Sequence, residues 1–192
     1  MSWEIAKWII LAVVFIFALT ALTGAPYVPS KVSELRRAFK KLYPLGKKDL
    51  LVDLGSGDGV VLKVANEFGA RGFGVELNPF LVLFTKLRFM RNKDIQIKMG
   101  NLFKINFPAR TTVVYIFGDD RDISNMIDAV QKQANRIGKD LYVMSHGFEI
   151  PNKKPVKKYR AYLLYKITCV RDGASAEISS FWFLTLFWPG AR

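Results

Sequence analysis

Apolar residues fall along this chain in runs of different period, and each period predicts a different element. Residues 5–23 are apolar apart from Lys7 and the threonines, long enough for a membrane-spanning helix, which needs about 20 such residues. Trp3 and Trp8 at one end and Tyr27 beyond the other are ring types that settle at a bilayer interface. Val32, Leu35, Phe39 and Leu42 then recur at helical spacing, with Ser30 as N-cap, cations on the opposite face and Pro44 and Gly46 as the stop. From residue 50 onward, short apolar runs at 50–54, 71–77, 95–99, 112–117 and 141–144 read as strands. Between them lie helical patterns that start at Val60, start at Asn78-Pro79 and reach about Met90, and run from Ile123 to Ile137 with Gly138 as the stop. Strand and helix in alternation predict an α/β fold with helices on both faces of a mainly parallel sheet. The aromatic and branched segments at about 159–170 and 178–188, separated by Arg171-Asp172-Gly173, predict a C-terminal antiparallel strand pair.

The first strand carries Asp53 and runs into Gly55-Ser56-Gly57-Asp58-Gly59 before the helix at Val60. Such a turn suits close approach of a ligand to backbone that takes left-handed φ. A dinucleotide fingerprint, G-x-G-x-x-G, presents bare amides to a pyrophosphate. Here Val60 stands where the third glycine would be, and Asp58 would set a carboxylate beside the phosphates. S-adenosylmethionine has no phosphate. Its sulfur is cationic and its amino-acid end zwitterionic, so Asp53 suits the ammonium while the turn amides take the carboxylate. Glu76 closes the second strand, with Leu77 beside it, where an acid can accept from both ribose hydroxyls; Asn101 and Leu102 follow the third strand, where such folds meet the adenine. Strand, loop, helix, strand and terminal acid within a unit of about 30 residues predict a Rossmann-like class I methyltransferase sheet with S-adenosyl-L-methionine as cofactor.

A chain of 192 residues suits one domain with an appendage: an anchor over 1–25 and a methyltransferase domain over 26–192. Lysine and arginine exceed acids by 29 to 16, a net charge of +13, which favours a polyanionic neighbour: nucleic acid, an anionic membrane surface or an acidic protein. One cysteine, Cys169, and one histidine, His146, exclude a disulfide framework and a multi-cysteine or multi-histidine metal site, so no metal is expected. A cleaved signal peptide is the rival of the anchor, but the region near Gly24 lacks a clean A-x-A and Pro26 would crowd it. Only Lys7 precedes the span, whereas Lys31, Arg36, Arg37, Lys40, Lys41, Lys47 and Lys48 follow it. The positive-inside rule therefore predicts a single-pass membrane protein with its catalytic domain on the cytoplasmic side, the basic helix face lying on anionic headgroups.

From Tyr27 to about Lys166 the chain resembles the small seven-strand protein-lysine methyltransferases with an N-terminal membrane segment, the group whose mitochondrial members modify the adenine nucleotide translocase and the c-ring protein of ATP synthase. The shared stretches are PYVPS at 26–30, VDLGSGDG at 52–59, GVELNPFLV at 74–82, Asn101-Leu102-Phe103 and Ile116-Phe117-Gly118. A D-L pair is usual where Asn101-Leu102 stands, and Asp119-Asp120-Arg121 does not repeat the family's sequence after the fourth strand. The resemblance implies methyl transfer to a lysine side-chain amine of a protein, membrane proteins included, by in-line displacement. A carboxylate near the amine would orient it; Asp119 and Asp120, at the sheet edge where ligands bind, are the candidates, with a cap of the following helix as the other reading of one of them. The resemblance suggests that Tyr27 covers the donor or the substrate lysine, an interfacial belt position being its alternative. His146, alone at a strand end, reads first as a hydrogen-bonded structural residue and second as a base.

Nucleic-acid methylation is the main alternative, suggested by Lys153, Lys154, Lys157, Lys158 and Arg160. It is disfavoured because the N/D-P-P-aromatic motif of base-modifying enzymes is missing: Asn78-Pro79-Phe80 has one proline and follows the second strand, not the fourth. A lipid or quinone methyltransferase working at the membrane is a further alternative.

Overall fold

The computed structural model describes residues 3–23, 31–117 and 122–170, and of residues 16–23 the backbone alone. Five parallel strands form the body of one sheet. β1 (Leu50–Leu54) lies between β2 (Arg71–Glu76) and β4 (Val113–Phe117), with β3 (Ile95–Met99) outside β2 and β5 (Leu141–His146) outside β4. β7 (Tyr162–Ile167) runs antiparallel to β5 and β6 (Lys157–Tyr159) antiparallel to β7, giving the order β3-β2-β1-β4-β5-β7-β6. Every residue of β1 is buried, as expected of a parallel strand covered on both faces.

The period of two along the strands sorts the core into two layers. Leu50, Val52 and Leu54 share one face with Val114, Ile116, Leu141 and Val143, packed on Ile123, Met126, Ile127 and Val130 of α5 (Ile123–Ile137). Leu51, Val113, Tyr115, Met144, Tyr162 and Leu164 face the other way, onto α2 (Val32–Leu42) and α3 (Val60–Glu67). Asp53 falls on this second face by the same alternation. The register aligns it with Gly74 on one side and Tyr115 on the other, so a one-residue slip would turn the carboxylate into the α5 layer.

The helices start and stop where their sequences dictate. Asn78 caps α4 (Pro79–Arg88) by accepting from the amides of Phe80 and Leu81, with Pro79 at its first turn. α2 buries Leu35, Ala38, Phe39 and Leu42, and Arg36 grips Glu67 of α3 with two hydrogen bonds of 2.6 and 2.9 Å. Its N-cap is Lys31, without a side-chain bond; Ser30, the expected cap, lies outside the described residues.

Two expectations fare differently. The predicted strand at 159–170 is present as β7, but its described partners are β5 and the short β6, joined through a tight turn in which Arg160 takes φ 53°. Segment 178–188, the expected partner, lies outside the described residues. The backbone of α1 (Trp3–Thr23) is helical as expected, yet among the described residues no helix is long and apolar enough to cross a membrane. The side chains described in α1 end at Phe15 and include Glu4 and Lys7, joined in an ion pair of 2.8 Å, and that portion is shorter than the ~20 residues a span needs.

Gly74 sits where β2 meets both α3 and the loop after β1: an added Cβ would come within 2.7 Å of Ser56 Oγ, 2.8 Å of Leu62 Cδ1 and 2.9 Å of Ile97 Cδ1. Gly74→Ala is expected to cost about 1–3 kcal/mol by overpacking, lowering Tm by roughly 2–4 °C for each kcal/mol. Gly100→Ala, whose Cβ would meet only Ile105 at 3.6 Å, should leave Tm nearly unchanged. Calorimetry on both variants checks this, and equal Tm values would rule out the close approach.

Candidate active site

The loop after β1 is built by hydrogen bonds to its neighbours before any ligand is considered. The amides of Gly55 and Ser56 both donate to the Val75 carbonyl, at 2.9 and 3.0 Å, and the Gly59 amide donates to the Ser56 carbonyl at 2.8 Å. Gly55, Gly57 and Gly59 take φ of 80°, 52° and 76°, the left-handed region expected for this turn. At Gly59 a Cβ would strike Thr85 Cγ2 at 2.7 Å and Phe89 Cε2 at 2.8 Å, because α3 and α4 meet there. At Gly55 it would meet nothing within 4 Å. The turn is closed on its helix side and open at Gly55, the form of a cradle.

Three carboxylates surround it, and each is used differently. Glu76 accepts from the Gly57 amide through Oε2 at 2.8 Å and from the amides of Leu77 and Asn78 through Oε1 at 2.9 and 2.8 Å. A carboxylate offers about four acceptor positions, so with three amides in place Oε2 keeps one open to a ligand hydroxyl. Asp58 accepts from the Val60 amide at 3.2 Å and from Arg88 Nη1 at 3.3 Å, while Arg88 also donates to the Asp58 carbonyl at 2.8 Å. Asp58 thus holds α3 and α4 together at the turn, its charge close to the cradle. Asp53 is 2% exposed, and its Oδ2 has no hydrogen-bond partner; neither has the buried Ser56 Oγ. Burial, and then the charges of Glu76 and Asp58, hold the Asp53 carboxyl well above the usual carboxylate range.

Unpartnered buried oxygens are rare in native proteins and need an explanation. A ligand that brings donors and positive charge to this corner supplies one: an ammonium satisfies Asp53, a hydroxyl takes the spare position on Glu76, and the open side of Gly55 leaves room. A pyrophosphate would meet three carboxylates. The residues present therefore fit a sulfonium nucleoside with an amino-acid end and do not fit a dinucleotide.

The rest of the predicted site divides. Asn101 follows β3, its Oδ1 accepting from the Phe103 amide at 2.9 Å, and Leu102 packs on the α5 layer. The Gly100 amide donates to the Glu76 carbonyl at 3.0 Å, bringing this corner beside the cradle. Tyr27, Asp119 and Asp120 lie outside the described residues; β4 ends at Phe117 on the same sheet edge. His146 shares a 3.2 Å hydrogen bond with Tyr115 through Nδ1, stacks on Tyr162 at 4.3 Å with rings 4° from parallel, and lies 5.3 Å from Phe117. Burial lowers its pKa and pushes the Tyr162 hydroxyl up to about 12, with Glu34 of α2 opposing the first shift and reinforcing the second. Register places Phe117, His146 and Tyr162 in one row, an aromatic wall that sequence reasoning did not assemble. Its signal was the alternation Tyr115, Phe117 along a strand whose neighbour carries Asp53.

Sheet order, reversed last strand and acid-lined turn define a Rossmann-like methyltransferase fold. An RNA methyltransferase from Salinibacter ruber, solved with S-adenosyl-L-homocysteine, shares it with a TM-score of 0.63 and 24% identity over 76% of this chain and 95% of that one. The family model described as the ANTKMT methyltransferase domain matches residues 53–157, and the chain belongs to that family. Curated relatives include proteins named as lysine N-methyltransferases of the ATP synthase c subunit: one from Xenopus laevis, 30% identical over 68% of this chain and 56% of that protein, and one from Caenorhabditis elegans, 39% identical over 47% and 52%. The chain spans about half the length of these relatives.

Because its folded pKa is raised, Asp53 binds a proton more tightly in the native than in the unfolded chain. Stability is therefore lost as pH rises from the ordinary carboxylate pKa of about 4 through the folded value. Asp53→Asn is expected to raise Tm at pH 8 by roughly 2–4 °C, the effect of about 1 kcal/mol in a domain of this size, with a smaller gain at pH 4. The same variant should weaken adenosylhomocysteine binding at least about tenfold, a loss of 1.4 kcal/mol or more. Calorimetric titration and melting curves read both signs; binding that survives in Asp53→Asn would remove the residue from the site.

Proposed function

We propose that this protein is an S-adenosylmethionine-dependent methyltransferase acting on a lysine side-chain amine of a protein. The observation that carries the reading is the buried Asp53, its Oδ2 without a partner, at the start of an open glycine turn among further carboxylates, and the family membership and the names of the curated relatives support it. S-adenosylmethionine supplies a methyl group on a cationic sulfur, from which a neutral amine can displace a thioether. On this reading Asp53 and Ser56, beside the open side of Gly55, bind the amino-acid end, Glu76 the ribose, and Leu77, Asn101 and Leu102 the adenine corner. The amides of Gly55 and Gly57, already given to the Val75 carbonyl and to Glu76, shape the turn rather than take the ligand carboxylate. Asp119 and Asp120, next in sequence after the strand that ends the aromatic row, orient the amine and take its proton, while Tyr27 covers the donor or the lysine. Phe117 and His146, half-buried at the open end of the row, offer ring faces to an alkylammonium chain, with the buried Tyr162 stacked behind His146.

The reading also carries α1 as a single-pass anchor with the domain on the cytoplasmic side. The apolar run at 5–23 and the cations that follow it, which outnumber Lys7, support that reading. Of the basic face of α2, Arg36 is committed to Glu67 and Lys41 lies 5.6 Å from the Tyr159 ring centre; Lys31, Arg37 and Lys40 are left to meet anionic lipid.

Membranes incubated with tritiated donor and the full chain should yield labelled protein, with methyl groups on lysine by mass spectrometry. Asp119→Asn with Asp120→Asn should lower labelling about 100-fold, within the range typical of a lost general base, with adenosylhomocysteine affinity unchanged. Label recovered in RNA or in extracted lipid would overturn the lysine assignment.

A further inference from the structure

The outer face of α4 is not used by the methyl-transfer reading. Its inward side chains Val82 and Thr85 are buried, yet Leu83, Phe84 and Leu87 are 57%, 54% and 59% exposed, and Met90 just past the helix 74%. Positions 83, 84, 87 and 90 fall on one helical stripe. A surface stripe of four large apolar side chains marks an interaction surface rather than the scattered exposure of single residues.

The charges beside it choose the partner. From Leu77 to Lys104 the chain carries Lys86, Arg88, Arg91, Lys93, Lys98 and Lys104 against one acid, Asp94. Arg88 is taken by Asp58, but Lys86 and Arg91 are exposed and flank the stripe. A second copy of this surface would set these cations against their own kind. A nucleic acid needs exposed planar or hydrogen-bonding groups on the stripe, and three of its four side chains are aliphatic or thioether. Apolar groups rimmed by cations match an anionic bilayer surface, where acyl chains take the leucines and phenylalanine and phosphates take the lysine and arginine.

We propose that the outer face of α4 docks in the headgroup region of an anionic lipid bilayer, the helix lying in the plane of the interface. The amides of Leu77 and Asn78, where α4 begins, are held by Glu76, so docking sets the candidate active site beside the membrane. The inference does not depend on which acceptor the enzyme methylates, nor on whether α1 inserts.

The test uses the full chain in a Cys169→Ser background, Cys169 being the free thiol of the protein. Leu87→Cys and Phe84→Cys report the stripe, and Lys132→Cys, exposed on α5 across the sheet, is the reference; each carries bimane. With phosphatidylcholine vesicles containing roughly 30% phosphatidylglycerol and doxyl-labelled lipid, the labels at 84 and 87 should shift to the blue and be quenched at least about twofold more than that at 132. The difference should fall when phosphatidylglycerol is omitted or salt is raised to about 1 M, and with Lys86→Glu and Arg91→Glu together. Because any anchor holds all three labels at the vesicle alike, only docking of α4 separates them. Equal quenching at 84, 87 and 132 would overturn the proposal. So would a blue shift without vesicles that grows with protein concentration, as would a blue shift driven by added RNA and not by lipid.

Discussion

The Glu76 carboxylate accepting three backbone amides is the interaction on which the site is assembled. One oxygen holds Gly57 in the turn after β1 and the other holds Leu77 and Asn78 at the start of α4. Two successive crossovers are thereby tied to one strand end. Charge-assisted bonds to backbone N–H groups are stronger than neutral ones, and the order they impose fixes where Asp53, Ser56 and the open side of Gly55 sit. Without that carboxylate the Gly57 amide would lose its partner, and the turn would keep only the bonds of Gly55 and Ser56 to the Val75 carbonyl, of Gly59 to Ser56 and of Thr85 to the Gly57 carbonyl.

Asp53 shows the opposite economy. It is buried on the α2 and α3 face, its outer oxygen unmatched, with two further acids near enough to disfavour its charge. A core position that chose for stability alone would be apolar, like Leu51 two residues earlier. Strain of this kind is expected where a protein sacrifices folding energy to bind something else, and here that something must bring positive charge. The same geometry sets the acid-lined turn apart from a phosphate cradle.

Much of this was legible in the chain. The five parallel strands, the caps at Asn78 and Gly138 and the three positive-φ glycines follow from period and turn chemistry, because local rules and tertiary packing agree there. Glu76 was legible as a site residue but not as the clamp of the turn, since its partners are amides and amides carry no signature in sequence. Asp58 also pairs with Arg88, thirty residues away, a pairing no spacing rule reveals. The hairpin of β6 and β7 was hidden because Arg160-Ala161 has no glycine or asparagine to announce a turn, and β6 is three residues long, two of them lysine. Exposure of the outer face of α4 was not legible either: an all-round apolar helix reads as buried until its neighbours are known.

Those two lysines of β6 have a further bearing. Among the described residues the sheet ends at β6 on one side and at β3 on the other, and an open edge is a template for pairing with another chain. Lys157 and Lys158 guard one margin and Lys98 the other, while β6 is also too short to seed a long ladder. A protein this rich in apolar side chains is thereby protected from growing its sheet into its neighbours.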